Sequence, residues 1–265
     1  MTSGRRSALV TGGGSGIGRG VALALARRGV AVAIAGRRAD RLHAVRAEIE
    51  AGGGWAAALP ADLAAAGDRA SLLERAAGAL GGRPPDLLVH NAALLAGGVL
   101  ADLDAGDLEA AVAANLLAPL EITRQWLRAT PDVSARHLTL VASLNALAPL
   151  PYLSVYAATK AALRALGFVL PHEGVATLTV YPPATATEMT RGMAEVTRGR
   201  YPLAPPGAVG ERIAAAALAG RRGELDLMSA GERALALVHR ACPRAARALL
   251  HARREEFRRA VTGAR

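Results

Sequence analysis

The sequence predicts an α/β fold: a doubly wound parallel sheet of about seven strands with helices on both faces. It reads as a single domain over residues 1–265, of which 231–265 form a helical C-terminal extension. Three observations predict this. Short apolar runs of strand length alternate with longer amphipathic runs, the pattern of successive strand–crossover–strand units. Hydrophobic residues make up 52% of the chain but aromatic ones only 3%. The core is therefore built from Ala, Val and Leu, which suits a sheet buried under closely packed helices. No repeat, low-complexity linker or composition break divides the 265 residues, a length that one large α/β domain accommodates.

Taken in order, residues 7–11 read as a strand, 17–28 as a helix and 30–35 as a strand. A helix over 40–51 follows, with Asp40 as its N-cap. Strand 55–59, helix 68–80 and strand 86–90 come next, then a long helix over 107–129. Strand 136–142, helix 154–169 and strand 176–181 continue the alternation. The Pro/Gly-rich piece 201–210 is a loop, because a helix (209–219) and a short strand (225–228) resume after it. From Gly231 the chain is helical, with a break at Pro243. Right-handed crossovers leave little topological choice. The longest uncharged stretch, 138–159, contains Ser143, Asn145, Pro149, Pro151 and Ser154, and reads as strand, loop and helix start rather than a membrane span.

The formal charge is +10. Residues 221–265 contribute 11 Arg against 5 acids. These arginines are interleaved with Ala and Leu at helical spacing and without aromatics, so they read as a solvated helix face. Contact with an anionic membrane surface is the lesser alternative, and nucleic acid is not an expected partner. One cysteine, Cys242, excludes an internal disulfide framework, reads as a small apolar residue, and fits a reducing cytoplasm. Arg5 and Arg6 precede only a short apolar run that breaks into glycines, so no secretory leader is expected. No metal site is expected.

The run Thr11-Gly12-Gly13-Gly14-Ser15-Gly16-Ile17-Gly18 leaves the first strand and opens the first helix. Glycines there permit a tight turn and close backbone approach to a pyrophosphate at the helix N-terminus, the Rossmann-type arrangement. The second strand ends in Gly36-Arg37-Arg38, with no acid before Asp40. An acid about 20 residues past the glycines suits the ribose of NAD, and an arginine suits the 2′-phosphate of NADP. NADP(H) is therefore the expected cofactor, in preference to NAD(H). Lys160 is the single lysine against 31 arginines, and it follows Tyr156 by one helical turn. A compact ammonium kept at one position in an arginine-rich chain points to chemistry.

With these pieces the chain resembles the short-chain dehydrogenase/reductase family over roughly residues 5–230. The motifs that carry the resemblance are the glycine loop, Asp62 after the third strand and His90-Asn91-Ala92-Ala93 after the fourth. Asn115 in the following helix, Ser143 after the fifth strand, and Tyr156 with Lys160 complete them. Ser143 lies 13 residues before Tyr156, the family's usual spacing. The resemblance implies Tyr156 as general acid/base, its phenol brought down toward neutrality by the Lys160 ammonium. It implies Lys160 on the nicotinamide ribose, Ser143 donating to the substrate oxygen, and Asn115 holding a relay water behind Lys160. Asp62 and Leu63 would meet the adenine, and Asn91 and Ala92 would lie against the cofactor. Pro182, Thr185 and Thr187 would border the nicotinamide, with Thr187 matching the threonine that contacts its carboxamide. His90, where the family has a small polar residue, reads as structural.

The implied activity is interconversion of a carbonyl and an alcohol. The pocket segments 92–96, 144–152 and 183–193 carry no charge before Glu188, so an uncharged or hydrophobic small-molecule substrate is expected. Leu144, Asn145, Tyr152 and Ala184 are its candidate contacts. Imine reduction, epimerisation, or a non-catalytic NADP(H) sensor or scaffold are the alternatives. A homodimer or homotetramer is expected. Two departures stand out. Pro183 replaces the family's glycine after the sixth strand, and Pro171-His172-Glu173-Gly174 ends the helix after Lys160 about one turn early, on the face where the family packs subunits.

Overall fold

The computed structural model describes residues 6–129, 136–192 and 202–262. The end of the pocket segment 183–193, at Met193, and the start of the 201–210 loop, at Tyr201, lie outside the described residues. Seven parallel strands form one sheet in the order β3-β2-β1-β4-β5-β6-β7. They are β1 (Ser7–Thr11), β2 (Ala31–Gly36), β3 (Trp55–Pro60), β4 (Leu87–His90), β5 (His137–Val141), β6 (Thr177–Tyr181) and β7 (Gly223–Asp226). The order reverses between β1 and β4, and a doubly wound sheet opens its ligand crevice at such a point.

The strands feed two cores. On one face Val32 and Ile34 pack with Val21 and Leu25 of α1 (Gly16–Ala26) and with Val45 and Ile49 of α2 (Ala39–Ala51). On the other, Ala31, Ala33 and Ala35 pack with Leu72 and Ala76 of α3 (Ala66–Ala79) and with the buried Trp126. One strand thus supplies β-branched residues to one layer and alanines to the other, through the two-residue period of a strand.

Several boundaries differ from expectation by one or two residues, and four differences matter most. Arg38 occupies the N-cap of α2, and Asp40 lies in its first turn. The long central helix has three parts: α4 (Ala105–Val112), capped by Asp104, a π-helical turn over Ala113–Leu117, and α5 (Ala118–Ala129). The helix before the last strand begins earlier, as α7 (Pro206–Leu218). The last strand sits two residues earlier than predicted. By contrast, α6 spans Ser154–Val169 as predicted. A short 3-10 turn follows α6, and Gly174 at φ 81° ends it. The tail forms α8 (Ala230–Ala241), α9 (Pro243–Ala252) and α10 (Arg254–Thr262), with the break at Pro243. Among the described residues no helix is long and apolar enough to cross a membrane.

Candidate active site

The glycine loop is stitched to the end of β4. Thr11 Oγ1 donates to the Val89 carbonyl (3.3 Å) and accepts from the N–H groups of Asn91 (3.0 Å) and Ala92 (3.2 Å). Asn91 Nδ2 donates back to the carbonyls of Thr11 (3.1 Å) and Gly12 (3.3 Å). This close seam requires glycine. Gly12 has φ +68°, and a Cβ there would lie 2.8 Å from Asn91 Nδ2. A Cβ on Gly18 would lie 2.3 Å from the same atom. Gly18 therefore packs the loop, while Gly12, Gly14, Ser15, Gly16 and Ile17 line a cleft of about 410 Å³.

One end of that cleft is basic. Arg37, Arg38 and Arg41 line it with Asp62 and Leu63. Arg38 donates to Glu188 (2.7 Å) and to Ser15 Oγ (3.2 Å), and Arg41 lies 3.5 Å from Glu188. The Arg38 guanidinium, first among several causes, holds the Glu188 carboxyl below the usual carboxylate range. Arg37 has no hydrogen-bond or ion-pair partner among the described residues. Asp62 closes the turn after β3: its Oδ1 accepts from Ala64 N–H (3.0 Å), and its own N–H donates to Asp68 (2.6 Å). Arg69, itself buried, holds this turn by donating to the carbonyls of Leu63 (3.0 Å) and Ala64 (2.8 Å).

The other end is buried. Tyr156 and Lys160, one turn apart on α6, both line the cleft. Lys160 is 2% exposed. Its amine donates to the Val141 carbonyl (2.8 Å) and stands 5.6 Å from the Tyr156 ring centroid. Burial brings that amine down to about 8. Tyr156 departs from expectation. Burial pushes its phenol up, and the group that opposes this is the hydrogen bond with Ser143. Ser143 N-caps a short turn after β5, where its Oγ accepts from Asn145 N–H (3.2 Å). Asn145, buried, turns its Oδ1 to the Leu150 N–H (3.0 Å) and so shapes the loop.

Asn115, in the π turn, is fully buried. Its Oδ1 accepts from Leu94 N–H (2.7 Å), and its Nδ2 donates to the Leu94 carbonyl (2.9 Å) and to Thr159 Oγ1 (3.3 Å). The side chain therefore clamps the cleft wall at Leu94. The remaining candidates divide. Ala92, Pro182 and Thr187 line the cleft, and Thr187 lies over Gly16, where a Cβ would meet it at 3.0 Å. Thr185, buried, donates to the Pro183 carbonyl (2.7 Å) and does not line the cleft. Leu144, Asn145, Tyr152 and Ala184 also lie outside its lining. Tyr152 has φ +64°, and its carbonyl accepts from Gly98 N–H (2.8 Å).

Sequence reading missed Arg41, Glu188 and Leu94. Arg41 had a signal, since it falls one turn after Arg37 at the start of α2. His90 is structural, as expected. It is buried, holds a 2.9 Å hydrogen bond with Thr123 Oγ1, and burial keeps it neutral with a pKa of about 3.

A crevice at the sheet's switch point, lined by a glycine loop, Tyr156 and Lys160, with Ser143 hydrogen-bonded to Tyr156, defines a dinucleotide-dependent oxidoreductase fold. The family profile described as short chain dehydrogenase matches residues 6–197. The chain belongs to the short-chain dehydrogenase/reductase family. It is 33% identical over 205 residues to an uncharacterised short-chain type dehydrogenase/reductase (y4eK) of Sinorhizobium fredii, covering 76% of this chain and 75% of that one. Among solved structures it is similar to a short chain dehydrogenase of Burkholderia cenocepacia in complex with NADP. That likeness has 31% identity and a TM-score of 0.72, and covers 86% of this chain and 98% of the other. It is also similar to the angucycline C-6 ketoreductase LanV with bound NADP, at 27% identity and a TM-score of 0.75, over 84% of this chain and 94% of that one.

Proposed function

We propose that the protein is an NADP(H)-dependent oxidoreductase that interconverts a ketone or aldehyde and an alcohol on an uncharged, apolar substrate. One observation carries the reading. Tyr156, hydrogen-bonded to Ser143, and Lys160 lie at one end of a cleft whose other end presents Arg37, an arginine without a hydrogen-bond or ion-pair partner among the described residues. The residues present fit a phosphorylated dinucleotide. Gly12, Gly14 and Gly16 present backbone without side chains to the cleft, and the first turn of α1 offers N–H groups to a pyrophosphate. Arg37 offers a charged fork to a 2′-phosphate. Two similar structures hold NADP.

The bound nicotinamide supplies the hydride. Tyr156 gives its phenolic proton to the carbonyl oxygen, or takes it from the alcohol in the reverse direction. Ser143 donates to that oxygen as negative charge develops. The buried Lys160 ammonium stabilises the phenolate that Tyr156 leaves behind. Asn115 fixes the wall at Leu94 through its side chain and holds a relay water behind Lys160. Ala92, Ala93, Leu94 and Ala142 line the catalytic end of the cleft, which favours apolar carbonyl compounds. A homodimer or homotetramer belongs to the same proposal, supported by exposed Leu117 and Leu120 near the start of α5 and by Phe168, 74% exposed, at the end of α6. So does a cytoplasmic setting, where the one free, exposed thiol, Cys242, stays reduced.

The test is oxidation of NADPH, and separately NADH, with a panel of apolar ketones and aldehydes, using Tyr156→Phe as control. The expected result is NADPH-dependent turnover that Tyr156→Phe loses while still binding NADPH. Equal turnover by the control would overturn the assignment of Tyr156. NADPH binding without turnover of any panel member would favour the sensor reading.

A further inference from the structure

The C-terminal extension grips the protein at two points that flank the catalytic end of the cleft. The first is on the loop after β6. Glu232 of α8 accepts the Ala184 N–H (2.7 Å), two residues beyond Pro182, which lines the cleft. The second is on the loop after β4. Val261 of α10 seats against Gly97, three residues beyond Leu94, which also lines the cleft. A Cβ on Gly97 would lie 2.3 Å from Val261 Cγ1, 3.2 Å from Leu153 Cδ2 and 3.4 Å from the Tyr152 carbonyl oxygen. That same carbonyl accepts from Gly98 N–H, and Tyr152 holds φ +64°, a conformation that non-glycine residues adopt only when their surroundings enforce it. Tyr152 and Leu153 lead directly into the turn of α6 that carries Tyr156. Three segments leave the cleft at its catalytic end; the tail touches two of them, and the third packs beside Gly97.

The matched family profile ends at residue 197, so this wall is built from chain beyond it. We infer that α10 forms the outer wall of the substrate site and that Val261 sets how large an apolar substituent the carbonyl substrate can carry. The inference rests on the proposed reaction. Gly97 does not have a positive φ, so alanine is conformationally allowed there and only Val261 and Leu153 oppose it. The pair 97/261 therefore acts as a steric key.

The experiment compares Val261→Ala, Gly97→Ala and the double variant in the full chain. Each is assayed for kcat/KM on a small and a bulky apolar ketone, for binding of those ketones to the NADPH complex, and for NADPH binding alone. Val261→Ala should raise the bulky-to-small ratio of kcat/KM by about tenfold, the discrimination that one or two methyl groups supply in an apolar pocket. Gly97→Ala should change the ratio by displacing α10, and the double variant should bring the ratio back toward that of Val261→Ala. NADPH affinity should be unchanged throughout. Active variants with an unchanged ratio would overturn this inference and leave the proposed function standing. A wild-type protein that binds NADPH but neither binds nor turns over any ketone would overturn both. If Gly97→Ala fails to fold, the ratio in Val261→Ala alone decides.

Discussion

At the arginine end of the cleft the charged groups stand half in water. Arg38 and Glu188 expose 49% and 43% of their side chains. At the catalytic end Lys160 is 2% exposed and Tyr156 9%. The same kinds of interaction therefore do different work. In water an ion pair contributes little and is screened by salt. Out of water a single amine or phenol has its protonation set by what surrounds it. On the proposed function, the exposed arginine end would serve recognition, and the buried end, where the partners are fixed, would serve proton transfer.

The largest effect should come from the buried end. Tyr156→Phe removes one hydroxyl and keeps the ring that packs over Lys160. Turnover should fall by about 10²–10⁴-fold, the range for loss of a positioned general acid, with NADPH affinity little changed. Stopped-flow reduction and fluorescence titration separate the two. A comparable fall in NADPH affinity would mean that the catalytic end also does recognition, and the contrast would collapse.

Next comes Arg37→Ala at the exposed end. A charge-assisted contact to a 2′-phosphate is worth about 1.5–3 kcal/mol, or roughly ten- to a hundredfold in affinity. The loss should fall on NADPH alone. Steady-state kcat/KM for NADPH and NADH checks this, and equal losses for both would remove Arg37 from the phosphate.

Lys160→Met sharpens the contrast through stability. Burial lowers the amine from 10.5 to about 8 in the folded state. Below pH 8 both folded and unfolded chains carry the proton, and the folded chain bears the cost of burying it. That cost fades as pH rises from 8 to 10.5, because the folded protein then sheds the proton first. The difference is worth about 3 kcal/mol. Losing the hydrogen bond to Val141 takes back about 1 kcal/mol. Lys160→Met should thus be inactive but about 2 kcal/mol more stable at pH 7, with the gain gone above pH 10.5. Urea unfolding at both pH values checks it. A variant less stable at pH 7 would show that the ammonium is compensated within the fold.

The contrast also explains what the sequence could reveal. Strands such as Ser7–Thr11 and the helix Ser154–Val169 were legible because their apolar spacing is local. Lys160 was legible because it is the one lysine in an arginine-rich chain. The π turn at Ala113–Leu117 was hidden in a continuous helical pattern, since its Asn115 side chain engages Leu94, 21 residues earlier. Glu188 was invisible as a cleft residue because its partner Arg38 lies 150 residues away. Asn145 and Tyr152 lie outside the lining of the cleft, and their part in the loop geometry around Ser143 and Gly98 depends on partners that sequence spacing does not show. The direction of the Tyr156 shift was misread for a related reason. Proximity to lysine was legible, and the degree of burial that outweighs it was not.

The smallest effect belongs to Glu188, at the exposed end. Its neighbour Thr187 lies over Gly16, and its carboxylate draws Arg38 and Arg41 across the cleft. A cofactor 2′-phosphate brings more negative charge to the same arginines, so the carboxylate competes with it. Glu188→Gln should tighten NADPH binding by about two- to fivefold at low salt, the scale of an exposed ion pair. The gain should vanish by about 0.5 M salt, where the screening length is about 4 Å. NADH affinity should not move. Titration of both cofactors at two ionic strengths gives the answer. Weaker NADPH binding in the variant would reverse the role of Glu188: the carboxylate would then be ordering the arginines for the phosphate, and the exposed end would share the fixed partnerships of the buried one.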